Sequence, residues 1–110
     1  MKRGDVVVVA DQSGGDYAGK PRPAVVIQSD LFDGTESIVV CPLTTRPRDA
    51  GLLRVAVMPA EALRLAVPSW VMVDKLTTIR RDRARTSIGH LAREEMLALE
   101  RSLAVFLGLG

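Results

Sequence analysis

Val6-Val7-Val8-Val9-Ala10, Ala24-Val25-Val26-Ile27-Gln28 and Ser37-Ile38-Val39-Val40-Cys41-Pro42-Leu43 are three short β-branched runs with turn residues between them. Side chains branched at Cβ are stiff and pack well on a pleated surface, so each run reads as a strand. The first lies between Gly4 and a loop over 11–21 that carries Gly14, Gly15 and Gly19, and its unbroken apolar character predicts a strand buried on both faces. Pro23 opens the second. Asp30, Asp33 and Gly34 separate it from the third, and such short connections make antiparallel neighbours.

Working outward, Thr44 to Gly51 holds Pro47, Asp49 and Gly51 without apolar periodicity, which predicts an exposed loop. Leu53, Val55 and Val57 alternate with Arg54 and Ala56, the period of a strand with one face partly open to solvent. Met58 to Ala66 reads either as a helical turn or as an irregular crossing, closed by Pro68, and Trp70 to Val73 begins a further strand that ends near Asp74. From Ala92 the period lengthens: Met96, Leu99, Leu103 and Phe106 recur at three and four residues, with Leu107 beside them, and Arg93, Glu94, Glu95, Glu100 and Arg101 occupy the other face. Ala92 cannot cap this helix as Ser, Thr, Asp or Asn would, so its start should fray; Gly108 and Gly110 end it. Short, closely spaced strands and one terminal helix describe a mainly β fold with α, a small and strongly bent antiparallel sheet or barrel with a helix on one face. The expected organisation is one domain over residues 1–110.

Hydrophobic residues make up 47% of the chain and aromatics 4%, so the core must be built from Val, Leu, Ala, Ile and Met. Cys41 has no second cysteine to pair with, and with His90 as the lone imidazole no Cys/His set is spaced for zinc, which excludes disulfide scaffolds and zinc modules. No leader-like start and no apolar run of membrane-spanning length is present, so a cytoplasmic protein is expected. The net charge of +2 is small, but twelve of the fifteen basic residues are Arg and they cluster. Lys75, Arg80, Arg81, Arg83 and Arg85 accompany Asp82, and Arg46, Arg48 and Arg54 surround Asp49. Planar guanidinium groups match phosphate geometry, so both clusters are candidate nucleic-acid contacts; taken singly, each Arg reads equally well as a solvated loop charge.

Four pieces carry a resemblance. Lys2 to Val6 (Lys-Arg-Gly-Asp-Val), Gly15 to Ile27 (Gly-Asp-Tyr-Ala-Gly-Lys-Pro-Arg-Pro-Ala-Val-Val-Ile), Val40 to Thr45 (Val-Cys-Pro-Leu-Thr-Thr) and Val73 to Ile79 (Val-Asp-Lys-Leu-Thr-Thr-Ile) together resemble, in order and spacing, the MazF/PemK (Kid) toxin family. Gly89 to Leu107 resembles that family's last strand end and C-terminal helix. The resemblance implies an SH3-like, CcdB/PemK-type antiparallel β-barrel with a C-terminal helix. It also implies a metal-independent, sequence-specific endoribonuclease that needs no cofactor, cuts single-stranded mRNA by 2′-hydroxyl attack, and pairs as a homodimer. A MazE-like antitoxin is the implied partner, in a complex that binds DNA.

On the same resemblance the catalytic residues are Arg22 and Thr44. A fixed guanidinium stabilises charge on the phosphate as the 2′-hydroxyl attacks, and a threonine hydroxyl holds the scissile group in line. Read without the family, Arg22 would brace the Gly-rich loop and Thr44 would satisfy its own turn. Thr45 is the neighbouring alternative hydroxyl. Asp74 matches an acidic family position, where it would orient Arg22 or assist proton transfer, an ion pair being the structural alternative. Lys20, Arg46, Arg48, Lys75 and Arg81 are the expected RNA contacts. Lys75 stands where many members carry Gln, and the link from Gly19 to Arg22 holds two residues where many relatives have one. His90 reads as structural. The rivals are a CcdB-like gyrase-binding poison and a non-catalytic RNA-binding relative; those poisons resemble one another in a Trp-Gly-Ile end, whereas this chain ends Leu-Gly-Leu-Gly and has its one Trp at position 70.

Overall fold

A computed structural model describes residues 1–10, 21–47 and 49–110, without the side chain of Arg85. Seven strands precede one helix: β1 (Asp5–Ala10), β2 (Pro21–Val26), β3 (Ser37–Thr44), β4 (Arg54–Val57), β5 (Ser69–Met72), β6 (Thr77–Arg80), β7 (Ala84–His90) and α1 (Arg93–Leu107). Every ladder is antiparallel, in the order β4-β5-β3-β2-β1-β7, with β6 also on β3. β3 is the spine. One edge pairs with β2; along the other, Ser37 to Val40 pair with β6 while Leu43 and Thr44 pair with β5. A strand shared between two partners on one edge has to coil, and the result is the expected half-barrel of antiparallel strands with a terminal helix.

Alternation along the strands sorts the core onto two faces. Val6, Val25, Cys41 and Leu43 join Val55, Val57, Leu63, Val71, Val73, Leu99 and Leu103 in the larger cluster, beneath α1. Val7, Ala24, Val26, Ile38 and Val40 form the smaller cluster on the opposite face. β1 is therefore buried on both faces only at Val6 and Val7. Val8, Val9 and Ala10 are half-exposed, because that end of the strand runs out beside Arg22 and Pro21, at the margin of the smaller cluster.

Residues 58–66 take the irregular crossing and not the helical turn. Ala60 and Leu63 bridge each other, Leu63 also bridges Gly89, and the Leu63 side chain fills the core. Gly89 has φ +133°, and a Cβ there would run into the Ala62 carbonyl oxygen, so only glycine allows the crossing to lie this close to β7.

The helix start does not fray. Ala92 offers no side-chain acceptor, but the Glu95 carboxylate reaches back to accept the Ala92 amide at 2.8 Å and the Met58 amide at 2.9 Å. Arg3 then ties β1's approach to α1 through Glu100 at 2.9 Å, and the Ser102 hydroxyl donates to the Leu52 carbonyl at 2.6 Å. At the other end Gly108, with φ +72°, turns the chain so that its own amide and that of Leu109 satisfy Val105 and Ala104 carbonyls. The apolar stripe is buried at Leu99 and Leu103 but not at Phe106 or Leu107, which are exposed. Fifteen helical residues span roughly 22 Å, whereas the four of β4 beneath them span about 13 Å, so the last turn overruns the sheet.

Candidate functional site

The ladder between β2 and β3 pairs Ala24 with Pro42, Val25 with Cys41 and Val26 with Val40. Carried two residues further, the same register sets Arg22 opposite Thr44. Arg22 lies on the face of Ala24 and Val26, and Thr44 on the face of Ile38 and Val40, so both point to the same side, just past the end of the smaller cluster. Thr44 in turn pairs with Trp70 of β5, and Arg54 of β4 with Met72. Because Val55, Val57 and Val71 face the larger core, Arg54 and Met72 turn to the opposite side. Three connected ladders thus deliver Arg22, Thr44, Met72 and Arg54 to one open groove of about 990 Å³, with Arg46, Asp49, Asp74 and Lys75 on its walls.

Thr44 is anchored in its own turn. Its Oγ1 accepts the Arg46 amide at 3.1 Å and donates at 3.5 Å to the Arg46 carbonyl, a long, weak contact that the hydroxyl can exchange for a group in the groove. The turn role read from the sequence and a ligand-facing role are therefore compatible. Asp74, in a tight 3-10 turn after β5, accepts Nη1 of Arg54 at 2.6 Å. The hydrogen bond from Arg54, reinforced by that guanidinium's charge and by Lys75, holds the carboxyl below the ordinary carboxylate range. Asp74 is then a fixed anion and not a proton donor at neutral pH. Cys41, under β3, is pushed up to about 12 by burial, with Asp74 adding to the shift, so its thiol is inert.

The sequence profile of the PemK-like, MazF-like toxins of type II toxin-antitoxin systems matches residues 2–107. The chain belongs to that family. It is 44% identical over 109 residues to the probable endoribonuclease MazF of Mycolicibacterium smegmatis, covering 99% of this chain and 98% of that one. Its fold is shared with an endoribonuclease in complex with its cognate antitoxin from a mycobacterial species (TM-score 0.81, 24% identity, 100% of this chain and 97% of the other). It is shared as well with a MazE-MazF structure from Deinococcus radiodurans (TM-score 0.76, 20% identity, covering 100% and 98%).

In this toxin the residues singled out from sequence divide. Arg22, Thr44, Thr45, Arg46, Asp74 and Lys75 come together around the groove. Lys20 and Arg48 lie outside the described residues. Arg81 is elsewhere: its guanidinium donates to the Thr35 and Phe32 carbonyls and to the Thr35 hydroxyl, bracing the turn before β3. Of the alternatives read for Asp74, the structure shows the ion pair, made with Arg54. His90 lies at the end of β7, with its amide on the Ala62 carbonyl. Sequence reading had Arg54 only as one of a cluster of candidate nucleic-acid contacts and not as a site residue, because alternation placed it on a face open to solvent; its ion pair with Asp74, twenty residues away, is signalled by no local pattern. Among the described residues no three His, Cys, Asp or Glu side chains gather to hold a metal ion.

Proposed function

We propose that this toxin cuts single-stranded RNA in the groove at the ends of β2, β3 and β5, with Arg22 and Thr44 acting on the scissile phosphate. As a member of its family the chain is an endoribonuclease toxin, and that membership favours it over a gyrase-binding poison. The observation that supports the reading is the β2–β3 register: extended past its last pair it brings Arg22 opposite Thr44, and both residues line one groove beside basic side chains. Chemically, the 2′-hydroxyl attacks the adjacent phosphorus while the bond to the 5′-oxygen breaks. The Arg22 guanidinium stabilises the charge that builds on the non-bridging oxygens, and Thr44 turns its hydroxyl proton from the Arg46 carbonyl to one of them, holding the group in line. The donors offered by Arg, Thr and Lys suit a phosphate, and the reaction is metal-independent. Arg46 and Lys75, with Lys20 and Arg48, hold the RNA backbone, while Thr45 is the alternative hydroxyl.

Residues 1–110 act as one toxin domain in the cytoplasm, where the RNA is. Leu97, Val105, Phe106, Leu107 and Leu109 are exposed on and after α1, which supports a homodimer that covers them. The cationic groove also suits the acidic tail of a MazE-like antitoxin, which would compete with RNA for Arg46 and Arg48.

The experiment is incubation of the purified chain with a long RNA in EDTA. Cutting persists, the fragments carry a 2′,3′-cyclic phosphate or 3′-phosphate and a 5′-hydroxyl, and an RNA with 2′-deoxy substitution at the cut position binds yet stays whole. Cleavage of the deoxy-substituted RNA would overturn the mechanism.

A further inference from the structure

Arg54 opens β4, and only 9% of its side chain is exposed although it lines the groove. Nη1 donates both to the Leu53 carbonyl at 2.9 Å and to Asp74 Oδ1 at 2.6 Å. Nε is buried with no hydrogen-bond partner, and Nη2 has none among the described residues. A buried N–H left unpaired is costly, and native structures tolerate few. Were Arg54 only a brace for Asp74, the cheaper arrangement would be a bidentate one, with Nε and Nη2 on the two carboxylate oxygens. Instead the carboxylate is met by a single nitrogen, and the side-on edge of the guanidinium, the edge that matches two oxygens of a phosphate, is kept unused. Met72 stands directly across the ladder on the same face and lines the same groove, and its unbranched thioether adapts at little cost to a ligand there.

From Thr44 to Arg54 the path crosses two strand spacings and shifts by two residues, which puts their backbones about 12 Å apart. With Nη1 held on Asp74 and the Leu53 carbonyl, that separation suits a neighbouring phosphate better than the one at Thr44. We propose that Arg54 is a second phosphate-holding guanidinium of the groove, positioned by Asp74, and that its Nε–Nη2 edge grips an RNA phosphate flanking the one that is cut. The inference rests on the RNA-cutting reading above. It assigns Arg54 to substrate binding, distinct from the chemical step, and gives Asp74 the work of aiming it.

The test is Arg54→Met, whose apolar stem fills the same space and removes the unpaired donor. Binding of the uncuttable 2′-deoxy RNA should weaken about tenfold, and the slope of log affinity against log salt should fall by about 0.7, the value for one contact on a single strand. The rate at saturating RNA should stay within about threefold of wild type. Arg54→Lys should restore the salt slope but only part of the affinity, because an ammonium lacks the planar fork. Asp74→Ala removes a negative charge, which alone would tighten RNA; a positioning role predicts weaker binding instead. If Arg54→Met keeps wild-type affinity and slope and loses only thermal stability, Arg54 is a brace and the proposal fails. The same holds if Asp74→Ala binds RNA more tightly. A wild-type chain that neither binds nor cuts RNA in the same assay would overturn the RNA-cutting reading, and this proposal with it.

Discussion

Residues 46–54 and 80–85 are both rich in Arg, and by composition nothing ranks one above the other. The fold treats them oppositely. At 80–85, Arg81 donates to the Thr35 carbonyl at 2.6 Å, to the Thr35 hydroxyl at 3.2 Å and to the Phe32 carbonyl at 3.3 Å, while Arg80 pairs with Asp82 on the open surface. At 46–54, Arg54 sits at the start of a strand, spends Nη1 on the Leu53 carbonyl and the Asp74 carboxylate, and keeps Nε over. The difference lies in the neighbours: a turn such as 32–36 has carbonyls that need donors and absorbs an Arg, whereas a sheet has few to give. A cationic cluster becomes a phosphate site only where the fold leaves its hydrogens unspent.

The strongest way to break this contrast is Arg22→Ala. It should lower RNA cleavage by on the order of 10²-fold or more, as loss of comparable transition-state donors does, with the fold intact because Arg22 is exposed at the start of β2. Thr44→Ala should be similar or milder, since a neutral hydroxyl contributes less and Thr45 is adjacent. Full activity in Arg22→Ala, measured by single-turnover cleavage, would move the chemistry out of the groove.

Arg81→Ala should do the reverse, leaving RNA affinity within about twofold while the chain loses about 1 kcal/mol from its missing turn contacts. Denaturant melts and RNA titration side by side decide it. An RNA affinity that falls without any change in the melt would return Arg81 to the binding surface and erase the distinction drawn here.

The smallest effect is in acid. Asp74 has a folded pKa below its ordinary value of 3.8, so it favours the folded state fully above 3.8, and that contribution is lost as pH falls through the lower folded value. The stability gap between wild type and Asp74→Ala should be constant near neutrality and shrink in strong acid. A gap that widens as pH falls would mean that the Arg54–Asp74 contact is not what lowers the pKa.

Much of this arrangement could be read beforehand, for reasons that differ by residue. The strand runs at 6–10, 24–28 and 37–43 and the helix from 92 carry their period locally, so their existence followed from side-chain alternation. Arg22 and Thr44 were singled out through the order and spacing of short motifs, and the fold brings both to one groove. What escaped was non-local. The Glu95 carboxylate caps its helix in place of the missing hydroxyl, Leu63 bridges Gly89, and Arg54 is held by Asp74. Each depends on a partner that the chain supplies from another element.

β3 hydrogen-bonds to β2 along one edge and to both β6 and β5 along the other, and it ends in Thr44. β2, β5 and β6 cannot part from the sheet without breaking a ladder to β3, whereas β4 and β7, at the two ends of the strand order, can. Amide protons of Val40 and Cys41 should therefore exchange with solvent only through global opening, at the slowest rate in the molecule. Loss of RNA cleavage on mild destabilisation should accordingly track exchange at these two amides and not fraying of β4 or β7.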